Sequence, residues 1–168
     1  ALLLHVAADH ARARGAVGVA AELEERAAQL TPITQLDVRQ QRALRAARHL
    51  LDAGDPERSR ALCQSVLDTN PPPALRADVL HVLAGASVIE QPTDAIPLLS
   101  EALACAGDDV VRAAALEMAL AVVLASLLDL PTSLRHTTRA AELAEQSGDT
   151  ALLGEAIATR ELLRVMTR

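Results

Sequence analysis

Residues 54–73, GDPERSRALCQSVLDTNPPP, contain the helix-boundary signals that decide the fold. Gly54 can end one helix and Asp55 can cap the next, whose first position is then taken by Pro56. The three prolines that close the segment must stop this helix, because proline has no amide N–H to donate. The segment therefore predicts a helix over residues 56–69 between two breaks.

Three further breaks resemble this one and begin at Gly15, Glu90 and Leu128, so that the four starts are 39, 36 and 38 residues apart. A small residue stands five positions after each start, and a small or β-branched residue stands twelve after it. In chain order these residues are Ala20, Ser59, Ala95 and Ser133, followed by Ala27, Val66, Ala102 and Ala140. Four matching blocks predict stacked helical repeats.

The breaks divide the chain into first (A) and second (B) helices of each repeat. We predict A helices at 1–14, 35–53, 74–89 and 110–127, B helices at 16–30, 56–69, 94–106 and 131–147, and a last helix at 150–168. Small or aliphatic residues occupy the matched A-helix site, namely Ala8, Ala47, Leu83 and Ala121. Pro97 is compatible with this scheme if its helix starts near Asp94.

The predicted architecture is all-α, a right-handed superhelix of antiparallel helix pairs with about four helical hairpins and a terminal helix. We expect a single domain, 1–168, made of repeats at 1–32, 35–71, 74–107 and 110–147 and a partial repeat at 150–168. The chain begins and ends inside apolar runs, which indicates a segment of a larger protein.

The composition excludes several classes of function. Phe, Trp and Tyr are absent and 51% of the residues are apolar, so the core must consist of Ala, Leu and Val. Ala and Leu strongly favour helices. The net charge of −6 argues against a nucleic-acid surface, which needs a basic patch. Lysine is absent, and a Walker A phosphate loop requires one.

The cysteine spacing and the hydropathy of the chain indicate the cellular compartment of the protein. Cys63 and Cys105 lack metal-ligand spacing and are typical of small core residues in a reducing compartment. The longest uncharged stretch, 118–128, is far shorter than the roughly 20 residues that span a bilayer. We expect a cytoplasmic protein without membrane contact.

The second repeat resembles the tetratricopeptide pattern, because its turn glycine, two small residues and terminal proline are all in register. Leu50 and Cys63 stand where that family has aromatic residues, and His136 and Thr137 occupy fourth-repeat sites that should be apolar. The resemblance implies a surface for binding rather than for catalysis.

Two segments, residues 53–62 (AGDPERSRAL) and 139–149 (RAAELAEQSGD), are similar to the helical-repeat region of large ATP-binding regulators of the LuxR type. These regulators have a nucleotide-binding domain before the repeats and a helix-turn-helix DNA reader after them. The resemblance implies that neither ATP nor DNA is bound within this chain. It implies a role in sensing an inducer, or in holding the regulator inactive or assembled.

A concave surface lined by the A helices is the predicted binding site. It is polar at its N-terminal end and apolar toward its C-terminal end, which suits an amphipathic helix or an apolar-tailed small molecule. The alternative for the apolar stretch 118–128 is plain burial between neighbouring helices. The predicted groove residues are His5, Asp9, Arg12, Gln41, Leu44, Arg48, Leu80, Ala84, Met118 and Val122.

Titratable residues give no catalytic or metal constellation. His5 and Asp9 are one helical turn apart, but His10 points elsewhere and no third ligand is near, so we interpret them as a solvated pair. The remaining histidines look isolated, and Asp109 is best explained as an N-cap. No Gly-x-Ser-x-Gly motif is present. The isolated histidines are His49, His81 and His136.

The last predicted helix has an apolar stripe without a partner helix in this chain, which predicts self-association through this end, for example as a homodimer. The stripe residues are Leu152, Leu153, Ala156, Ile157 and Leu163.

The sequence therefore predicts a non-enzymatic binding segment without metal or cofactor, whose partner is a protein or peptide and, in a regulator, also a small-molecule inducer. The first hypothesis is the sensor or interaction region of a bacterial transcriptional regulator. The alternative is a general protein–protein interaction scaffold unrelated to transcription.

Overall fold

The computed structural model describes residues 2–88 and 90–167, which form helices joined by short turns. The all-α prediction is confirmed for these residues. The helix bounds predicted at residues 1, 89 and 168 lie outside the described residues, and every other bound falls within two residues of its prediction. The helices are α1 (Leu2–Ala13), α2 (Val17–Gln29), α3 (Leu36–Asp52), α4 (Pro56–Leu67), α5 (Pro73–Val88), α6 (Pro92–Ala106), α7 (Val110–Ser126), α8 (Leu130–Ser147) and α9 (Thr150–Met166).

The chain forms two compact units, one up to Ala86 and the other from Ser87 onward. In the first unit α1 packs on α2, α2 on α3, and α3 on α4; in the second, α6 packs on α7, α7 on α8, and α8 on α9. The boundary falls inside the third predicted repeat, near the end of α5. One continuous repeat domain therefore stays a prediction. Among the described residues no helix is both long and apolar enough to cross a membrane.

Aspartate side chains cap several helices. Asp55 accepts a hydrogen bond from the Arg58 backbone N–H at 3.1 Å and Asp109 from the Arg112 N–H at 3.0 Å, which confirms both predicted N-caps. The Arg112 backbone N–H is the main cause of a lowered Asp109 pKa. Caps of this type typically contribute about 1 kcal/mol. Asp129 and Asp149 cap α8 and α9 in the same way.

The start of α6 corrects one sequence-based expectation. The helix begins at Pro92 rather than near Asp94, so Pro97 lies inside the helix and not in its first turn. The reason is that Pro92 has the φ angle that a first helical position needs. Pro97 leaves the Thr93 carbonyl without its helical N–H donor, but both residues are exposed to solvent, where water can replace that bond.

The small residues of the repeat register lie where helices meet. Ser59 and Ser133 are fully buried, and their hydroxyls donate to the carbonyl oxygens of Ala47 and Ala121 at 2.9 Å and 2.7 Å. Ala20 and Ala95, at the matched positions of the other repeats, are also fully buried. Small side chains here let the two helices of a pair approach closely. The register predicted from the sequence is confirmed.

Candidate binding groove

Helix α1 presents a polar stripe made of His5, Asp9 and Arg12, spaced at one-turn intervals as predicted from the sequence. Asp9 and Arg12 are exposed and His5 is half-buried. His5 Nε2 lies 3.7 Å from Asp9 Oδ2, so the predicted pair forms. The Arg12 side chain makes no hydrogen bond or ion pair within the described part of the chain, which leaves its guanidinium able to bind a ligand.

Helix α3 supplies the opposite wall. Arg45, Arg48, His49 and Asp52 together with Asp9 and Arg12 of α1 line an open groove of about 290 Å³. Three arginines and two aspartates line this groove, so it offers three guanidinium groups in a chain whose net charge is −6. Grooves that concentrate one sign of charge attract ligands of the opposite sign.

The floor of this region contains a carboxylate that the sequence analysis did not identify. Glu24 of α2 is fully buried, its Oε1 is 2.5 Å from His5 Nδ1, and it also accepts from Arg45 Nε at 3.1 Å. His5 is therefore not merely part of a solvated pair, and a third potential ligand does lie near Asp9. Matching Glu24 to Cys63, nine residues after the break of the second repeat, could have shown that Glu24 occupies a core position.

His49 also lies against the groove. Burial is the largest cause of its lowered pKa, and the nearby Arg12 guanidinium acts in the same direction, while Asp52 opposes both. The buried Nδ1 of His49 has no hydrogen-bond partner within residues 2–88 and 90–167. His49 is therefore held in its neutral form at the groove wall rather than isolated on the helix surface.

The polar surface continues along α5. Arg48 Nη2 lies 4.0 Å from Asp78 Oδ1. Burial lowers the pKa of His81, and Arg48 lowers it further. Arg48 of α3 therefore faces Asp78 and His81 of α5.

The other predicted groove residues in the first unit divide by burial. Gln41 is exposed on α3. Leu44, Leu80 and Ala84 are at most 3% exposed and lie in the core. The open surface of this unit is consequently built from the polar members of the predicted set.

The second unit holds the remaining predicted residues. Met118 is buried against Ala140, Ala141 and Ala156, whereas Val122 is 49% exposed. Val122 and Leu128 are exposed while Met118, Leu120, Ala121, Val123 and Leu124 are buried, so plain burial describes only part of the stretch 118–128. His136 is not isolated: its Nδ1 lies 2.6 Å from Glu117 Oε2.

The apolar stripe of α9 is partly covered within the second unit. Leu152 and Leu153 pack against the α7 and α8 core, and Ala156 and Leu163 are buried. Ile157 remains 40% exposed. The side chains that stay exposed near the end of α9 are Leu162, Val165 and Met166.

Neither cysteine forms a disulfide. Cys63 is fully buried, and burial raises the pKa of its thiol to about 12. The thiol therefore stays neutral and packs as a small apolar group, as the sequence predicted.

Comparisons with known proteins support the fold. The chain is similar to the crystal structure of MamA, with a TM-score of 0.60 and 16% sequence identity over 93% of this chain and 91% of that one. MamA is a tetratricopeptide-like helical repeat protein. No protein-family model matches the chain, and no curated protein matches it either. The similarity at this level of identity shows a helical-repeat fold.

Proposed function

We propose that this chain is a non-enzymatic protein-interaction module whose α1–α3 groove binds an acidic segment of a partner protein. The observation that supports it best is the set of three arginines, Arg12, Arg45 and Arg48, that line one open groove. Arginine binds carboxylates with two parallel hydrogen bonds, which gives orientation as well as affinity.

The three arginines differ in availability. Arg45 is engaged by the buried Glu24, and Arg48 has Asp78 at 4.0 Å. Arg12 has no such partner among the described residues and is exposed. A carboxylate of the partner can therefore pair first with Arg12 and then share Arg48, while Arg45 stays on Glu24.

A binding experiment tests this proposal. A fluorescein-labelled peptide of alternating Glu and Leu residues is titrated with the chain and followed by fluorescence anisotropy, beside a peptide with Lys in place of Glu. We expect binding of the acidic peptide only, weakened by added salt. Arg12→Glu should reduce affinity about tenfold, since each 1.4 kcal/mol is a factor of ten.

The matched control is Arg135→Glu, which changes the charge of an exposed arginine of α8 by the same amount. Equal losses in the Arg12 and Arg135 variants would mean that net charge alone drives binding. Equal affinity for the Glu and Lys peptides would remove the acidic partner from the proposal.

The narrower hypothesis places this module in a bacterial transcriptional regulator, where it senses an inducer or holds the regulator assembled. Its support is the similarity of residues 53–62 and 139–149 to the repeat region of LuxR-type regulators. The sequence of the full gene product tests it: a phosphate loop upstream and a helix-turn-helix downstream are expected. Different flanking domains would leave the general interaction scaffold, which the tetratricopeptide-like neighbour favours weakly.

Self-association and cytoplasmic location remain part of this proposal. The exposed apolar end of α9 supports a homodimer, which light scattering at high protein concentration tests, since a strict monomer contradicts it. The support for a reducing compartment is the sequence pattern of Cys63 and Cys105, which lack metal-ligand spacing.

A further inference from the structure

His5, Asp9 and Glu24 form the one group among the described residues that has metal-ligating side chains from three positions close together. One ligand atom from each lies within 4.8 Å of the other two. Two of these residues come from α1 and the third from α2, so the group depends on the packing of the first helix pair. The described residues 2–88 and 90–167 contain no second group of this kind.

Glu24 gives the independent observation that points to a ligand. The residue is fully buried, and its Oε1 is used by His5 and Arg45. Its Oε2 is also buried and has no hydrogen-bond partner among the residues that the structure describes. Leaving a buried carboxylate oxygen unsatisfied is costly, and a bound cation would remove that cost.

We propose that His5, Asp9 and Glu24 bind one divalent first-row transition-metal ion, such as Zn²⁺. One imidazole nitrogen and two carboxylates suit such an ion better than Mg²⁺ or Ca²⁺, which prefer ligand sets made of oxygen alone.

One distance in the structure fits such an ion, and Glu24 would reach the ion through Oε2, because its Oε1 bonds the opposite ring nitrogen of His5, Nδ1. His5 Nε2 and Asp9 Oδ2 are 3.7 Å apart, close to the roughly 3.4 Å that separates two ligands of a tetrahedral zinc ion with bonds of about 2.1 Å. The Asp9 side chain is 60% exposed and that of His5 26%. Solvent therefore reaches the site from the Asp9 side, and the ion has a route into it.

Charge and repeat register are consistent with the site. Asp9 and Glu24 bring two carboxylates to the site, and Arg45 pairs with one of them, Glu24. The matched positions in the second repeat hold Leu44 and Cys63, and in the third Leu80 and Leu99, which are all buried. A helix pair of this fold thus does not need polar residues there.

The test measures metal binding without any peptide, so it is independent of the groove proposal. Zn²⁺ is titrated into the full chain by isothermal calorimetry, with Cys105→Ser in every protein so that this thiol cannot bind the ion. One site per chain is expected. Co²⁺ in place of Zn²⁺ should give visible absorption of a site with nitrogen and oxygen ligands.

Three variants locate the site. Asp9→Asn changes an exposed side chain and leaves the core intact, Glu24→Gln keeps the shape of the buried one, and His5→Leu with Glu24→Leu copies the third repeat. Each variant should weaken Zn²⁺ binding by roughly 10- to 100-fold or more, because losing a residue that only hydrogen-bonds to a metal ligand already weakens binding by that much. Circular dichroism confirms that each variant is folded.

The matched control is the other histidine–glutamate pair, His136 with Glu117, which has the same kind of contact and no third ligand among the described residues. His136→Gln with Glu117→Gln should leave Zn²⁺ affinity unchanged. Binding that survives Asp9→Asn or the leucine pair, an equal loss in the control, equal binding of Mg²⁺, or no binding at millimolar Zn²⁺ would each overturn the proposal.

Discussion

The first two helix pairs share one register and differ at its centre. In α3 and α4 the central positions hold Leu44 and Cys63, which belong to an apolar cluster with Val66, Leu75 and Val79. In α1 and α2 the same positions hold His5 and Glu24, joined by a hydrogen bond of 2.5 Å. The repeat therefore accepts either an apolar or a polar pair at one site.

Different residues stack the helices and determine the chemistry of each helix pair. Small residues let both pairs close, since Ala8 and Ala20 are as fully buried as Ala47 and Ser59. The central residues of α3 and α4 stabilise that pair by hydrophobic burial, whereas those of α1 and α2 place a buried carboxylate there. Because a buried ion pair contributes little net stability compared with apolar residues, the polar pair is better explained by binding than by folding.

The largest expected effect comes from the apolar centre. Leu44→Ala removes a side chain that is 3% exposed and should lower the free energy of unfolding by about 3 kcal/mol, through lost burial and the cavity left behind. Urea unfolding followed by far-ultraviolet circular dichroism measures this, since the chain has no tryptophan or tyrosine to give fluorescence. If Leu44→Ala lowered the free energy of unfolding by less than His5→Ala does, the contrast between the two helix pairs would be wrong.

The polar pair of α1 and α2 should lose stability when His5 alone is replaced and regain it when both residues become apolar. His5→Ala removes one hydrogen-bond partner of the buried Glu24 and leaves Arg45 as the other, so we expect a loss of about 2 kcal/mol. Replacing both His5 and Glu24 by leucine should restore stability to the wild-type value or slightly above it. Parallel urea titrations without metal measure the stability of both variants. If the double leucine variant were less stable than His5→Ala, an apolar pair could not replace the polar one at this site.

The turns that open the repeats should show a smaller effect that is similar in both pairs. Gly15 and Gly54 have φ angles of +78° and +80°, where a side chain is strained, so alanine at either should cost about 1 kcal/mol. Leu128, at the matched turn, has a φ of +63° and is 76% exposed. Leu128→Gly should therefore raise the thermal midpoint, and a decrease would contradict the strain argument.

The smallest effect is the pH dependence that His49 and His81 give to the first unit. Burial lowers the pKa of both from 6.5, so the folded state resists protonation while the unfolded state takes up protons near pH 6.5. Their contribution to stability is thus complete above about 6.5 and is lost as pH falls toward the folded-state values. His49→Gln or His81→Gln should each reduce the fall in thermal midpoint below pH 6.5, which thermal unfolding at a series of pH values measures.

The sequence predicted the helices accurately because their boundary signals are local. Gly54, Asp55 and Pro56 act through backbone geometry and hydrogen bonds to neighbouring residues, so no tertiary contact is needed to interpret them. The start of α6 was misplaced because Pro92 and Asp94 are both acceptable first-turn residues. The groove stays a prediction, but its residues His5, Asp9, Arg12 and Arg48 do lie on exposed or half-buried faces, which helical periodicity can assign.

The local sequence pattern could not predict the buried residues of the site. Glu24 looks like one of several surface glutamates of α2, and only the packing of α1 and α3 on that helix buries it fully and brings His5 and Arg45 to it. The same holds for His136 and Glu117, which are 19 residues apart in the chain and in contact in the fold.

The sequence by itself determined where helices begin and end and which small residues recur, since these depend on interactions within a few residues. The tertiary structure decided which polar side chains lose their water and meet each other, because burial and contact between distant residues exist only once the helices have packed.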